Sequence, residues 1–166
     1  TSPWARCGER TWVWGPLATL LVCCGAQAAD LTWEGGGFAP FNWNDSANWN
    51  DGTGPAVPQT GDTLTFATGK PGQTSVNNLP AGTAFASIDI GGLAGDPGYS
   101  FSGNDITLTG GSTALKFNYT GGSATIGLNI TFSNSDPIIT VTDGTLNLNG
   151  AINNGGMLLT VKGVAA

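Results

Sequence analysis

Between Tyr99 and Val161, apolar and polar residues alternate in short bursts that recur at a lag of twenty residues. Cut at that interval, the stretch reads YSFSGNDITLTGGSTALKFN, YTGGSATIGLNITFSNSDPI, ITVTDGTLNLNGAINNGGML and a partial LTVKGVAA. One column holds Tyr99, Tyr119, Ile139 and Leu159. A second holds Ile106, Ile126 and Leu146, with Leu108, Leu128 and Leu148 two places later. Apolar residues two apart, with a small or polar residue between them, predict half-buried strands. A repeat of that length predicts a solenoid, in which each unit buries its apolar side only against its neighbours. Hairpin arrays and β-sandwiches also show short, evenly spaced strands, but they need no equivalent residues at a fixed lag.

The pattern therefore predicts an all-β protein, a right-handed parallel β-helix (solenoid) closed by an N-terminal Trp-rich cap. Each coil reads as three strands, near Tyr99–Ser102, Asp105–Thr109 and Ala114–Asn118 in the clearest one. Gly103-Asn104 and Gly110-Gly111 mark the corners between them, because Gly and Asn tolerate the positive φ of tight turns. Stepping back by the same lag makes residues 79–98 a degenerate first coil. The columns predict two inward ladders, Ile106-Ile126-Leu146 and Leu108-Leu128-Leu148.

The segment ahead of the repeats holds Trp33, Trp43 and Trp49, with Phe38, Phe41 and Phe66. A solenoid end exposes an apolar cross-section and unpaired strand edges, and large aromatics set among turns suit the task of covering both. Their indole N–H groups need partners once buried. The expected organisation is a leader over 1–28, the cap over 29–66, and coils of about 20 residues over 67–166.

The leader reading rests on Arg6 and Arg10, an apolar run from Val13 to Cys24, and the small-x-small signature Ala26-Gln27-Ala28. Gly15 and Pro16 interrupt the run, which falls short of the ~20 residues a spanning helix needs. Cleavage is expected after Ala28 or Ala29. The chain starts without methionine and stops inside a repeat, so it is expected to be a piece of a longer protein. Cys7, Cys23 and Cys24 all fall in the leader, which leaves the remainder without disulfides or thiolate metal ligands.

From Asp30 onward, ten acidic residues face three lysines, with no arginine and no histidine, for a net charge of −7. Phosphate neutralisation by Lys and Arg dominates nucleic-acid affinity, so that partner class is excluded.

The phrases Thr32-Trp33, Gly35-Gly36-Gly37, Asn42-Trp43, Asn48-Trp49, Pro58 and Gly61-Asp62-Thr63-Leu64-Thr65-Phe66 form an opener, followed by ITLTGG and GTLNLNGAI. In that order they resemble the start of bacterial autotransporter-associated β-strand repeat proteins. The resemblance implies an exported or surface-displayed passenger-like β-helix. No translocator barrel or anchor follows within these residues.

Candidate chemistry is sparse. Asp89 and Asp105 could approach on neighbouring coils as a carboxylate pair of the kind glycosidases use, which is the basis for a reading as a fragment of a polysaccharide-degrading enzyme. No catalytic motif with a nucleophile or base accompanies them, so no catalytic residue is assigned and no enzyme is expected. The Asn- and Asp-rich run 42–52 lacks the closing Glu of a calcium loop, and neither metal nor other cofactor is expected. Trp43 and Trp49 could instead stack on sugar rings beside Asn44, Asn48 and Asn50 as an extracellular glycan-binding site. The competing reading buries both indoles in the cap. The expected function is a structural, adhesin-like stalk at the bacterial surface. Its partners would be a glycan or a host or neighbouring cell surface, and a second copy through the exposed C-terminal coil.

Overall fold

The computed structural model describes residues 27–163. The leader expected over 1–28 lies almost wholly outside them. The alternating segments form strands, and the strands wind into a β-solenoid of about four turns. Strand β1 (Asp30–Trp33) is followed by a single 3-10 turn (Ser46–Asn48) and the short β2 (Trp49–Asn50). The first coil holds β3 (Thr63–Phe66), β4 (Thr74–Asn77) and β5 (Thr83–Phe85). The second holds β6 (Ser87–Gly92), β7 (Ser100–Gly103) and β8 (Ile106–Leu108). The third holds β9 (Leu115–Ile126) and β10 (Ile130–Phe132). The fourth holds β11 (Ile138–Leu148) and β12 (Ile152–Asn153), and β13 (Thr160–Gly163) opens a fifth.

Three faces result. The first stacks β1, β3, β6, the first half of β9, the first half of β11, and β13, all parallel. The second stacks β4, β7 and the second halves of β9 and β11. The third stacks β5, β8, β10 and β12. Strands β9 and β11 each turn a corner without leaving the sheet. Gly121 (φ 62) makes one of these corners. The Tyr119 ring lies so close to Gly122 that a Cβ there would sit 2.0 Å from a ring atom.

The three strands expected per coil are present, but the twenty-residue register is not. Ile106 pairs with Ile130 and Ile130 with Ile152, steps of 24 and 22 residues. On the first face Leu64 pairs with Ile88, and Ile88 with Leu115, steps of 24 and 27. The ladder Ile106-Ile126-Leu146 therefore does not form. Ile126 lies between Phe101 and Leu148 on the second face, and Leu146 pairs with Ala124. The second ladder, Leu108-Leu128-Leu148, fails for the same reason, since Leu108 lies between Phe85 and Phe132. The column led by Tyr99 fails likewise, because Tyr119 pairs with Gly92.

The physical cause is visible in the third coil. Ala124, Ile126, Leu128, Ile130 and Phe132 are all buried, so inward alternation runs straight through the corner at Gly127 to Asn129. An alternation that runs unbroken through a corner carries no mark of where one face ends, so it does not fix the coil length.

Inward positions are almost fully buried through the first three coils and mostly apolar: Leu64, Ile88 and Leu115 on the first face, Phe101 and Ile126 on the second, Phe85, Leu108 and Phe132 on the third, with Ser75 and Asn77 of β4 the polar exceptions. Buried polar groups are satisfied. Asn77 donates its Nδ2–H to the Asn104 carbonyl at 2.7 Å and accepts from the Leu79 N–H at 3.1 Å. Asn104 in turn donates to the Leu79 carbonyl at 2.7 Å, stitching the second corner of adjacent coils. Among the described residues no buried side-chain N or O lacks a partner.

Candidate functional site

Three parts of the molecule compete as a functional site: the aromatic cap, the outward faces, and the scattered carboxylates. In the cap, Trp33 and Trp49 meet edge to face at 4.9 Å, and Trp49 meets Trp43 at 5.9 Å in the same manner. Phe66 of β3 lies beneath all three indoles, at 5.2 to 5.6 Å. Phe66 continues to Phe101 at 4.4 Å, which joins the cap to the solenoid core. Each indole N–H finds an acceptor. Trp33 donates to the Pro71 carbonyl, Trp43 to Ser75 Oγ and Trp49 to the Trp43 carbonyl, each at 3.0 Å. This satisfies the donors that burial would otherwise strand.

Trp43 is 0% and Trp49 1% exposed. Neither indole presents a face to solvent, so stacking of sugar rings on Trp43 and Trp49 has no surface to act on. The burial follows from their neighbours. Asn48 is itself buried and spends its side chain within the loop, donating to the Asn42 carbonyl at 2.9 Å and accepting from the Gly37 N–H at 2.8 Å. The Asn-rich run is a folded scaffold for the indoles. The exposed aromatic is Phe38, at 90%. A single exposed apolar side chain is ordinary on a protein surface.

The cap also places backbone partners on the N-terminal strand edge of each face. Strand β2 pairs antiparallel with β1, and Pro55 bridges the outer side of Asn50. The Trp43 N–H donates to the Val76 carbonyl at 2.9 Å, which covers β4. The Gly61 N–H donates to the Ala84 carbonyl at 2.8 Å, which covers β5. Covering of this kind hinders strand addition at that end.

The outward faces carry columns of small polar side chains. The first face shows Thr32, Thr65, Asp89, Lys116, Thr140 and Lys162 in register. The second shows Thr74, Ser100, Thr125 and Asn147. The third shows Ala84, Thr107, Thr131 and Asn153. Lys116 and Asp89 approach to 4.0 Å and are both nearly half exposed, so solvent screening leaves the pair little weight.

The carboxylates do not converge. Asp89 sits on β6 in the first face, while Asp105 precedes β8 of the same coil at the entrance to the third. Asp105 accepts from Asn129 Nδ2–H on the next coil at 3.0 Å. The pairing of Asp89 with Asp105 on neighbouring coils is therefore not realised. Hydrogen bonds from the Thr53 hydroxyl and backbone hold the Asp51 carboxyl below its ordinary value. Asp96 is lowered in the same way, first by the Thr68 hydroxyl and then by the Leu93 N–H, which makes it a clasp between two corner loops. No three His, Cys, Asp or Glu groups among the described residues stand close enough to share a metal ion.

A shallow groove lined by Gln27, Ala28, Ala29, Asp51 and Thr53 lies beside the cap. Cleavage after Ala28 would remove two of its five walls. Compared with known proteins, the chain matches no family model, no curated protein and no solved structure. No helix among the described residues is long and apolar enough to cross a membrane.

Proposed function

We propose that this chain is the N-terminal part of an exported, surface-displayed β-solenoid that acts as a rigid stalk or adhesin-like element, with no catalysis of its own. The observation that carries the reading is the division of labour between the two sides of each strand. Inward positions are filled mostly by packed apolar and aromatic groups, with Ser75 and Asn77 of β4 the polar exceptions, while outward positions are mostly Ser, Thr, Asn and a few charges. The regularity of these faces suits a spacer. The opener-then-repeat order supports the finer reading as an autotransporter passenger. Contacts with a glycan or a neighbouring cell surface would fall on the hydroxyl and amide columns of the second and third faces.

Export is testable directly. A reporter fused after Ala166 in a bacterial host should reach the envelope or medium, and Leu20→Arg with Leu21→Arg should hold it in the cytoplasm. Equal cytoplasmic retention of both forms would refute the export reading. A purified chain that cleaved polysaccharides would refute the non-catalytic one.

A further inference from the structure

We infer that processing between Ala28 and Ala29 makes Ala29 the first residue of the mature chain, and that its α-ammonium group forms an ion pair with the carboxylate of Asp62. The inference rests on the export reading above and adds to it the cleavage position and a purpose for the new terminus. Asp62 is 3% exposed, and its Oδ1 accepts from the Ala29 nitrogen at 2.8 Å. Its Oδ2 accepts from the Gln59 N–H at 2.6 Å. No lysine reaches it: the ion pairs among the described residues join Lys70 to Glu34 and Lys116 to Asp89. A carboxylate so enclosed calls for a cationic partner.

The nitrogen already aimed at Asp62 belongs to the residue that follows Ala26-Gln27-Ala28. Hydrolysis of the Ala28–Ala29 amide by a signal peptidase consumes one water, leaves a carboxylate on Ala28 and an amine on Ala29, and the amine takes up a proton. The neutral N–H donor becomes a charged one with no movement of the chain. Charge-assisted hydrogen bonds are roughly twice as strong as neutral ones. Ala29 is also held from its other side, because its carbonyl accepts from the Thr63 N–H at 2.9 Å. Cleavage one residue later would discard both contacts. Strand β1, which carries Trp33 into the cap and already pairs with β3, would thus gain a charged clamp to the first coil once the leader has been removed.

The test uses chains running to Ala166 and released from a cleavable fusion to begin at Ala28, Ala29 or Asp30. Each is treated with an amine-acylating ester, and N-terminal labelling is followed by mass spectrometry. The Ala29 chain should label about tenfold more slowly than the other two, as a charge-assisted bond predicts. Asp62→Asn should restore fast labelling in the Ala29 chain and leave the Ala28 chain unchanged. Equal rates for the Ala28 and Ala29 chains would overturn the ion pair, and that comparison stands even if the Asp62→Asn chain fails to fold. In a second arm the whole chain is exported and its first peptide sequenced. An N-terminus at Ala29 supports the cleavage position, and one at Asp30 overturns it. Slow labelling of the Ala29 chain without any export would uphold the geometry and sink the export reading on which the processing step depends.

Discussion

Ile106 lies in register with Ile130 one coil further on, with Thr107 beside Thr131 and Leu108 beside Phe132. That relationship sets the coil length and can be measured energetically. Truncations to alanine at Ile106 and Ile130 should be coupled by at least ~0.5 kcal/mol in a double-mutant cycle, whereas Ile106 with Ile126 should be closer to additive. Ile126→Asp and Ile130→Asp should each cost more than about 3 kcal/mol, because both sites are buried at 1% exposure and the charge would have no partner. Chemical denaturation checks both statements. Unchanged melting of Ile126→Asp would mean that the position faces solvent.

The cap makes an optical prediction. A chain beginning at Ala29 retains only Trp33, Trp43 and Trp49, and all three are at most 1% exposed. Its emission should be blue-shifted and resistant to acrylamide until it unfolds. Trp43→Ala should destabilise by about 3–5 kcal/mol, since it empties the centre of the cluster and leaves Ser75 without its donor.

The two tyrosines should report alkaline unfolding. The Tyr99 hydroxyl donates to the Ala67 carbonyl and the Tyr119 hydroxyl to the Pro97 carbonyl, each at 2.6 Å. Burial is the first cause that raises both phenols above the ordinary 10.0, with the neighbouring charge of Asp96 adding to it. A raised folded value means that their contribution to stability is complete below 10.0 and is lost as pH rises beyond it. Phenolate absorbance should therefore lag behind a free-tyrosine titration and rise together with loss of the far-ultraviolet β signal. Titration at the ordinary value in the folded chain would show that the phenols are solvated.

The C-terminal end should associate. Inward positions lose cover along the axis, from Ile130 at 1% through partly buried Leu148 and Ile152 to Val161 at 64%, and Leu158 nearby is 71% exposed. Among the described residues, β11, β12 and β13 are the last strands of their faces, and an outer strand edge of this kind is a template for another strand. Light scattering should show association growing with concentration, and Val161→Lys with Leu158→Lys should suppress it. A monomer at every concentration would show that this edge is protected.

Alternation, turn residues and aromatic clustering were enough to predict the all-β class, the parallel solenoid, β7, β8 and the start of β9, and the capping role of the opener. These features are local or repeat along the chain, so they are legible without coordinates. The coil length was not, because Ala124 to Phe132 alternate without a break and carry no mark of the corner between two faces. Nor was the fate of Trp43 and Trp49. An Asn-rich loop admits a sugar site as well as a folded cap until Asn48 is seen to spend its hydrogen bonds on Gly37 and Asn42. In the sequence Asp62 is only one residue of the opener phrase Gly61 to Phe66, and it is the tertiary structure that brings the Ala29 nitrogen, thirty-three residues earlier, onto its carboxylate. Contacts across that separation depend on how the coils close, which no short window of residues encodes.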